Sequence, residues 1–208
     1  YSCKSVLIAS GGASYAGTGS DGWGYSEAKR LGHRIVSLRP SLVPLEAEQE
    51  FCRKLKGLSL KNTALTMFDS KGKRVYEDFG ELLFTHFGLS GPMILSASMY
   101  IEPEEKYYIL LDLKPALDEK KLDARILRDF EKNLNKNALN VLYGLMPKSL
   151  VPVVLKMAEI APDTKVNTIT REQRRALINA LKRMRVDIKR TRPLNEAIIT
   201  AGGVDVKE

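Results

Sequence analysis

The sequence predicts an α+β fold in which a β-rich region encloses a helical subdomain, and three observations carry that prediction. Short extended runs at residues 63–68 and 74–79 flank the turn-rich tetrad 69–72, the pattern of a hairpin. From Asp118 the apolar spacing changes from two to 3.6, the period of an amphipathic helix. Two similar segments, VLIASGG at 6–12 and AIITAGG at 197–203, stand at opposite ends, and everything between them reads as one large insertion.

Taken in order, the continuous apolar run at residues 4–9 predicts a buried strand stopped by glycine. A helix is expected from about residue 21 to 31, with Ser20 or Asp21 as cap and Gly32 as terminator. Residues 34–38 read as the next strand, punctuated by Pro40 and Pro44. After the hairpin, Ser90-Gly91-Pro92 predicts a helix start running to about Met99, with Ser90 able to cap and Pro92 suited to the first turn. Residues 107–113 predict a further strand closed by Lys114 and Pro115. Three amphipathic helices should follow. The first carries Leu122, Ile126, Leu127, Phe130 and Leu134, the second Val151, Val154, Leu155 and Ala158. The third opens on a capping box, Thr170 to Gln173, and turns Leu177, Ile178, Leu181 and Met184 inward. The chain then returns through residues 186–188 and the Pro193 turn to a last strand.

Composition narrows the function classes. The 208 residues are 44% hydrophobic and 28% charged, ordinary for a globular protein with room for a full core. The longest uncharged stretch, residues 82–101, is broken by Thr85, His86, Pro92 and several Gly and Ser, and is a poor membrane span. Cys3 and Cys52 form no metal-binding spacing and read as reduced thiols of a cytoplasmic protein. The net charge of +8 is concentrated late, around Arg171, Arg174, Arg175, Lys182, Arg183 and Arg192. Without interleaved aromatics or a reading motif, that charge is read as a solvated helix face, and no nucleic-acid partner is expected. The competing reading is a basic, non-catalytic module for nucleic acid or an acidic partner.

Several motifs bear on chemistry. Residues 17–22, GTGSDG, match G-x-G-x-x-G literally, but seven residues separate them from the preceding apolar run, so the Rossmann geometry is wrong. No Gly-Lys-Ser/Thr follows, which excludes a Walker A loop. The density of Gly11, Gly12, Gly17, Gly19, Gly22 and Gly24 nevertheless suits a backbone that turns sharply or presses on a ligand. His33, after a helix terminator, reads as a cap. His86 is the one weak catalytic candidate, and Trp23 and Tyr25 could form an aromatic wall. No complete catalytic apparatus and no metal set is present, as expected where a cofactor supplies the chemistry.

The segments LIASGG (7–12), TGSDG (18–22), RPSLVPL (39–45), GELLFTHFGLSGP (80–92) and ITAGGV (199–204), in this order, resemble the bacterial aminoacetone-oxidase-like (BaiN-like) flavoproteins over nearly the whole chain. THFGLSGP at 85–92 is the most specific element. The resemblance implies an FAD-dependent oxidoreductase built as a Rossmann-like FAD domain, an inserted β-rich, barrel-like domain and a helical domain nested in turn. Residues 1–33 and 190–208 would then be remnants of the FAD domain, 34–115 with a return near 186–189 the β-rich domain, and 116–185 the helical subdomain. By the same resemblance, Ala9, Ser10, Gly11, Gly12, Thr18, Gly19, Asp21 and Gly22 would lie against FAD, and Gly202 and Gly203 near the isoalloxazine or the substrate. The implied partner is a small-molecule substrate, with NAD(P) possible. The chain departs from the pattern in lacking the family's N-terminal fingerprint strand and C-terminal Gly-Glu segment, and in carrying Ser10 where Thr is more usual. It is therefore expected to be an internal piece of a longer protein that by itself neither holds FAD tightly nor turns over.

Overall fold

A computed structural model describes residues 2–207. Two β structures organise it: a closed six-stranded antiparallel barrel, and a two-stranded ribbon beside it. The barrel strands are β2 (Leu45–Ala47), β3 (Ser59–Asp69), β4 (Arg74–Phe84), β5 (Gly88–Ser90), β6 (Tyr107–Asp112) and β7 (Met184–Thr191), in the spatial order β2-β5-β4-β3-β6-β7. The ribbon pairs β1 (Ile35–Ser41) with β8 (Ile199–Val204).

Alternation fixes the barrel's inside. Along β6, Tyr107, Ile109 and Leu111 turn inward while the residues between them are partly exposed, and Met67 of β3 sits opposite Ile109. Leu65, Met67, Phe84, Leu89, Ile109, Leu111 and Val186 are fully buried. The β3–β4 hairpin turns where expected: the Asp69 carboxylate accepts the Lys71 and Lys73 N–H groups and the Gly72 N–H bonds the Asp69 carbonyl. Short strand β5 closes the barrel only because position 88 is glycine; a Cβ there would lie 2.3 Å from the Leu45 carbonyl oxygen.

Between β6 and β7 the chain makes four helices where the sequence reading expects three: α4 (Glu119–Glu131), α5 (Ala138–Leu142), α6 (Val151–Met157) and α7 (Arg171–Lys182). Asp118 caps α4 by accepting the Lys121 N–H, and the Thr170–Gln173 capping box opens α7. Helix α4 stops at Glu131, so Leu134, expected on its inner face, is half-exposed. Leu122, Leu155 and Leu177 join the barrel residues in one continuous core. Lys182 fastens this block to the barrel, donating to the Lys114 and Leu117 carbonyls and pairing with Asp112 at 2.5 Å.

The remaining helices are α1 (Trp23–Arg30), α2 (Glu50–Lys54) and α3 (Pro92–Ser98). Two expected side-chain caps are absent. Gly22 is the N-cap of α1 and Gly91 that of α3, both at positive φ; Asp21 instead accepts the Trp23 N–H, and Pro92 takes the first turn of α3. The expected strand at residues 4–9 does not form. No described neighbouring strand offers hydrogen bonds, and Val6 and Leu7 are 79% and 89% exposed. Pro40 sits inside β1, tolerated because the ribbon has only two strands. Arg39 ties the ribbon to the barrel region, donating to the Ile101 carbonyl and pairing with Glu102.

Candidate functional site

The two glycine-paired segments, 185 or more residues apart in sequence, meet through one side chain. Thr200 of β8 accepts the Ala13 N–H at 2.9 Å, and its hydroxyl lies 2.9 Å from that of buried Ser14. A pocket of about 490 Å³ opens at this junction, within the ~300–1,000 Å³ typical of small-molecule sites. Its wall carries the hydroxyls of Ser14, Thr18, Ser20, Tyr25 and Thr200 beside apolar Ile198 and Ile199. No group here is placed for nucleophilic attack. The pocket can bind and orient a polar ring system.

Of the candidate site residues singled out from sequence, Gly12, Thr18 and Tyr25 line this pocket. Gly11, at φ 76°, and Gly22, at φ 84°, shape the surrounding loop, with the Gly22 N–H bonded to the Gly12 carbonyl. Asp21 holds the start of α1. A Cβ on Gly11 would meet Ser20 Oγ at 2.7 Å, one on Gly12 would meet Thr200 Oγ1 at 2.8 Å, and one on Gly203 would meet the Tyr25 ring at 2.7 Å. At Gly202 it would meet the Ser37 carbonyl oxygen at 2.3 Å. These four glycines thus let the two segments, α1 and β1 close on each other. Gly19, at φ 94°, has open space where a Cβ would stand. Ala9 and Ser10 lie in the exposed irregular stretch, Ser10 Oγ facing Gly24.

His86 lies apart from the pocket wall. It is exposed, in a turn where the Thr85 N–H bonds the Gly88 carbonyl and Thr85 Oγ1 accepts the Gly88 N–H. Its ring packs edge-on against Phe87, and the Arg192 guanidinium covers Phe87 at 4.6 Å. Arg192 in turn bonds Glu46 at 2.7 Å and Glu196 at 2.5 Å. Burial raises the Glu46 pKa, but hydrogen bonds from Arg190 and Arg192 outweigh it and hold the carboxyl below its usual range. The Arg192 hydrogen bond likewise lowers Glu196, whose charge also feels His86. Glu196 lies on the 3-10 turn leading into Ile198, so this network links the His86 turn to the strand that lines the pocket.

Sequence reasoning missed Ser14 and Thr200, whose ordinary side chains gain meaning only from contact across the fold. Cys52 is no nucleophile: it is buried, and burial pushes its thiol up to about 12. Among the described residues no acidic, His or Cys cluster could hold a metal, and no helix is long and apolar enough to cross a membrane.

The barrel with its helical block, residues 39–199, matches the family model described as HI0933-like protein barrel and H2TH domain. The chain belongs to that family. It is 31% identical over 206 residues to the ribosomal RNA dihydrouridine synthase of Escherichia coli, covering 99% of this chain and 49% of that protein. The corresponding synthase of Haemophilus influenzae is 30% identical over 209 residues, 100% of this chain and 49% of the relative. The 3-dehydro-bile acid delta(4,6)-reductase of Clostridium scindens is 27% identical over 212 residues, 98% of this chain and 50% of the relative. The chain thus spans about half the length of the curated relatives it matches. The BaiN-like resemblance is carried to the level of this family and no finer.

Proposed function

We propose that this chain contributes the barrel, the helical block and one wall of the cofactor site to an FAD-dependent reductase that saturates a ring double bond, with uridine in ribosomal RNA as its substrate. The relatives' names support the reaction class: dihydrouridine is uridine with two added hydrogens, and a delta(4,6)-reductase also acts on carbon–carbon double bonds. The observation that carries the reading is the Thr200 junction, which brings both glycine-paired segments to one hydroxyl-lined pocket.

The residues fit part of a flavin nucleotide. Gly19 leaves backbone uncovered, and the pocket is sized for a ring rather than for a whole dinucleotide. When bound, a reduced flavin supplies hydride chemistry. Ser14, Thr18 and Thr200 would orient the cofactor, with Gly11, Gly12, Asp21 and Gly22 shaping the loop and Gly202 and Gly203 setting the strand end. Ala9 and Ser10 would lie along the same edge. His86, in the turn that Arg192 covers through Phe87, lies outside this pocket and is given no step in the reduction.

The test is to purify the full-length protein, measure bound FAD, and incubate it with NAD(P)H and ribosomal RNA lacking dihydrouridine. The expected result is a flavin-bearing protein and a mass gain of two hydrogens on one uridine. A flavin-free protein, or reduction of a free small substrate with the RNA untouched, contradicts the reading; the latter outcome would restore the small-molecule partner expected from sequence.

A further inference from the structure

The positive charge of this chain is confined to one region. Residues 113–183, between β6 and β7, hold 15 Lys and Arg against 8 Asp and Glu, an excess of seven beside the chain's net charge of +8, while the barrel residues 45–112 and 184–191 hold 11 against 12. The barrel is electrically balanced. The helical block is not.

Within that block, a groove of about 680 Å³ runs between α4 and α7. Two carboxylates line it, and each is already matched: Asp123 by Arg174, at 2.5 Å, and Glu119 by Arg183, at 2.6 Å. Lys120, Arg171 and Arg175 also line it, all exposed and none in an ion pair within 4 Å among the described residues. Arg171 and Arg175 are four residues apart and so share one face of α7. Glu172, exposed on the same helix, interacts electrostatically with both arginines. A groove whose acids are internally neutralised and whose remaining cations face solvent presents fixed positive charge to a polyanion.

We propose that the α4–α7 groove is a docking site for the phosphate backbone of the RNA substrate, with Lys120, Arg171 and Arg175 as the contacting cations. This rests on the RNA reading above and deepens it, placing a contact on a surface separate from the hydroxyl-lined pocket. RNA is favoured over an acidic protein because the proposed substrate is itself RNA, whose closely spaced backbone phosphates suit several cations along one groove. The groove serves affinity and orientation and carries no base specificity.

The experiment measures binding of the full-length protein to a fluorescein-labelled ribosomal RNA stem-loop by anisotropy over a range of KCl concentrations. The triple variant K120A/R171A/R175A should bind about tenfold or more weakly, and its slope of log K against log salt should be shallower by about two to three, since each lost phosphate contact removes about 0.7–0.9. A charge-matched control away from the groove, R53A/K56A/K71A, on α2, the turn after it and the β3–β4 turn, should leave both unchanged. The R171K/R175K variant, which keeps the charge, should recover most of the affinity and so separates binding from misfolding. Equal losses in the triple variant and that control would overturn the groove assignment, as would displacement of the RNA by poly-glutamate at equal charge concentration, which would point to an acidic protein partner. Groove-dependent RNA binding without dihydrouridine formation would overturn the proposed reaction and leave the groove standing. Dihydrouridine formation that the triple variant does not weaken would do the reverse.

Discussion

The barrel with its helical block and the glycine-rich ribbon region use apolar residues in opposite ways. In the first, Leu65, Phe84, Ile109, Leu122 and Leu177 are fully buried in one continuous core. In the second, Val6, Leu7 and Val206 are 79%, 89% and 93% exposed, and order comes from a few cross-chain hydrogen bonds and glycine contacts. Hydrophobic burial therefore stabilises the first region, whereas the second is held by the β1–β8 ladder and by polar and steric fit between segments distant in sequence. Such a difference lets a stable scaffold carry a pocket wall that is open to a ligand.

The largest effect that tests this contrast is core truncation. Phe84→Ala should cost about 3–5 kcal/mol in urea unfolding, whereas Leu7→Ala should stay within about 0.5 kcal/mol. Comparable losses at both positions would erase the distinction between the regions.

Next comes the steric fit of the ribbon. Gly202→Ala combines a φ of 85° with a Cβ placed 2.3 Å from the Ser37 carbonyl oxygen. It should cost about 1–3 kcal/mol and appear as faster amide exchange in β1 and β8 with the barrel strands still protected. Uniformly faster exchange would show that the ribbon and the barrel unfold together.

The Arg192 network gives a pH dependence. Glu46 and Glu196 have folded-state pKa values held below their ordinary ones, so their contribution is fully present above the unfolded value and is lost as pH falls through the folded one. Thermal stability should therefore decline below about pH 4.5, near the ordinary Glu value. Glu46→Gln should flatten that decline and cost about 1–3 kcal/mol at neutral pH. An unchanged acid profile in the variant would mean that the network does not stabilise the fold.

The smallest effect concerns the junction itself. Thr200→Val keeps the shape but removes the acceptor for the Ala13 N–H and the Ser14 partner, at about 1–2 kcal/mol. Its main readout is weaker flavin retention under conditions where the variant stays folded, and full retention of flavin would deny Thr200 its proposed role.

Much of the fold could be read from the sequence because local chemistry and tertiary structure agree there. The hairpin at 69–72, the Thr170 capping box, Leu122, Ile126 and Phe130 of α4 and Leu177, Ile178 and Leu181 of α7 form as their patterns predict, whereas Leu134 lies beyond α4 and Met184, expected on the third helix, begins β7. Reading failed where the outcome depends on distant partners. Residues 4–9 have strand composition but no described strand beside them, and β2 and β5 are three residues each, too short to show a period. The site was half legible. Glycine density marked the loop, but the pocket is organised by Thr200 and Ser14, which look unremarkable until the chain ends meet. The charge excess is visible in the sequence, but only the folded groove shows which acids are neutralised and which cations are left over.

The central claim is tested most directly by mass spectrometry of ribosomal RNA incubated with the flavin-loaded full-length protein and NAD(P)H. One uridine should gain two hydrogens with wild-type protein, and the gain should fall sharply with Thr200→Val. Unmodified RNA with the wild-type holoenzyme, under conditions where its flavin is reduced and reoxidised, would contradict the account.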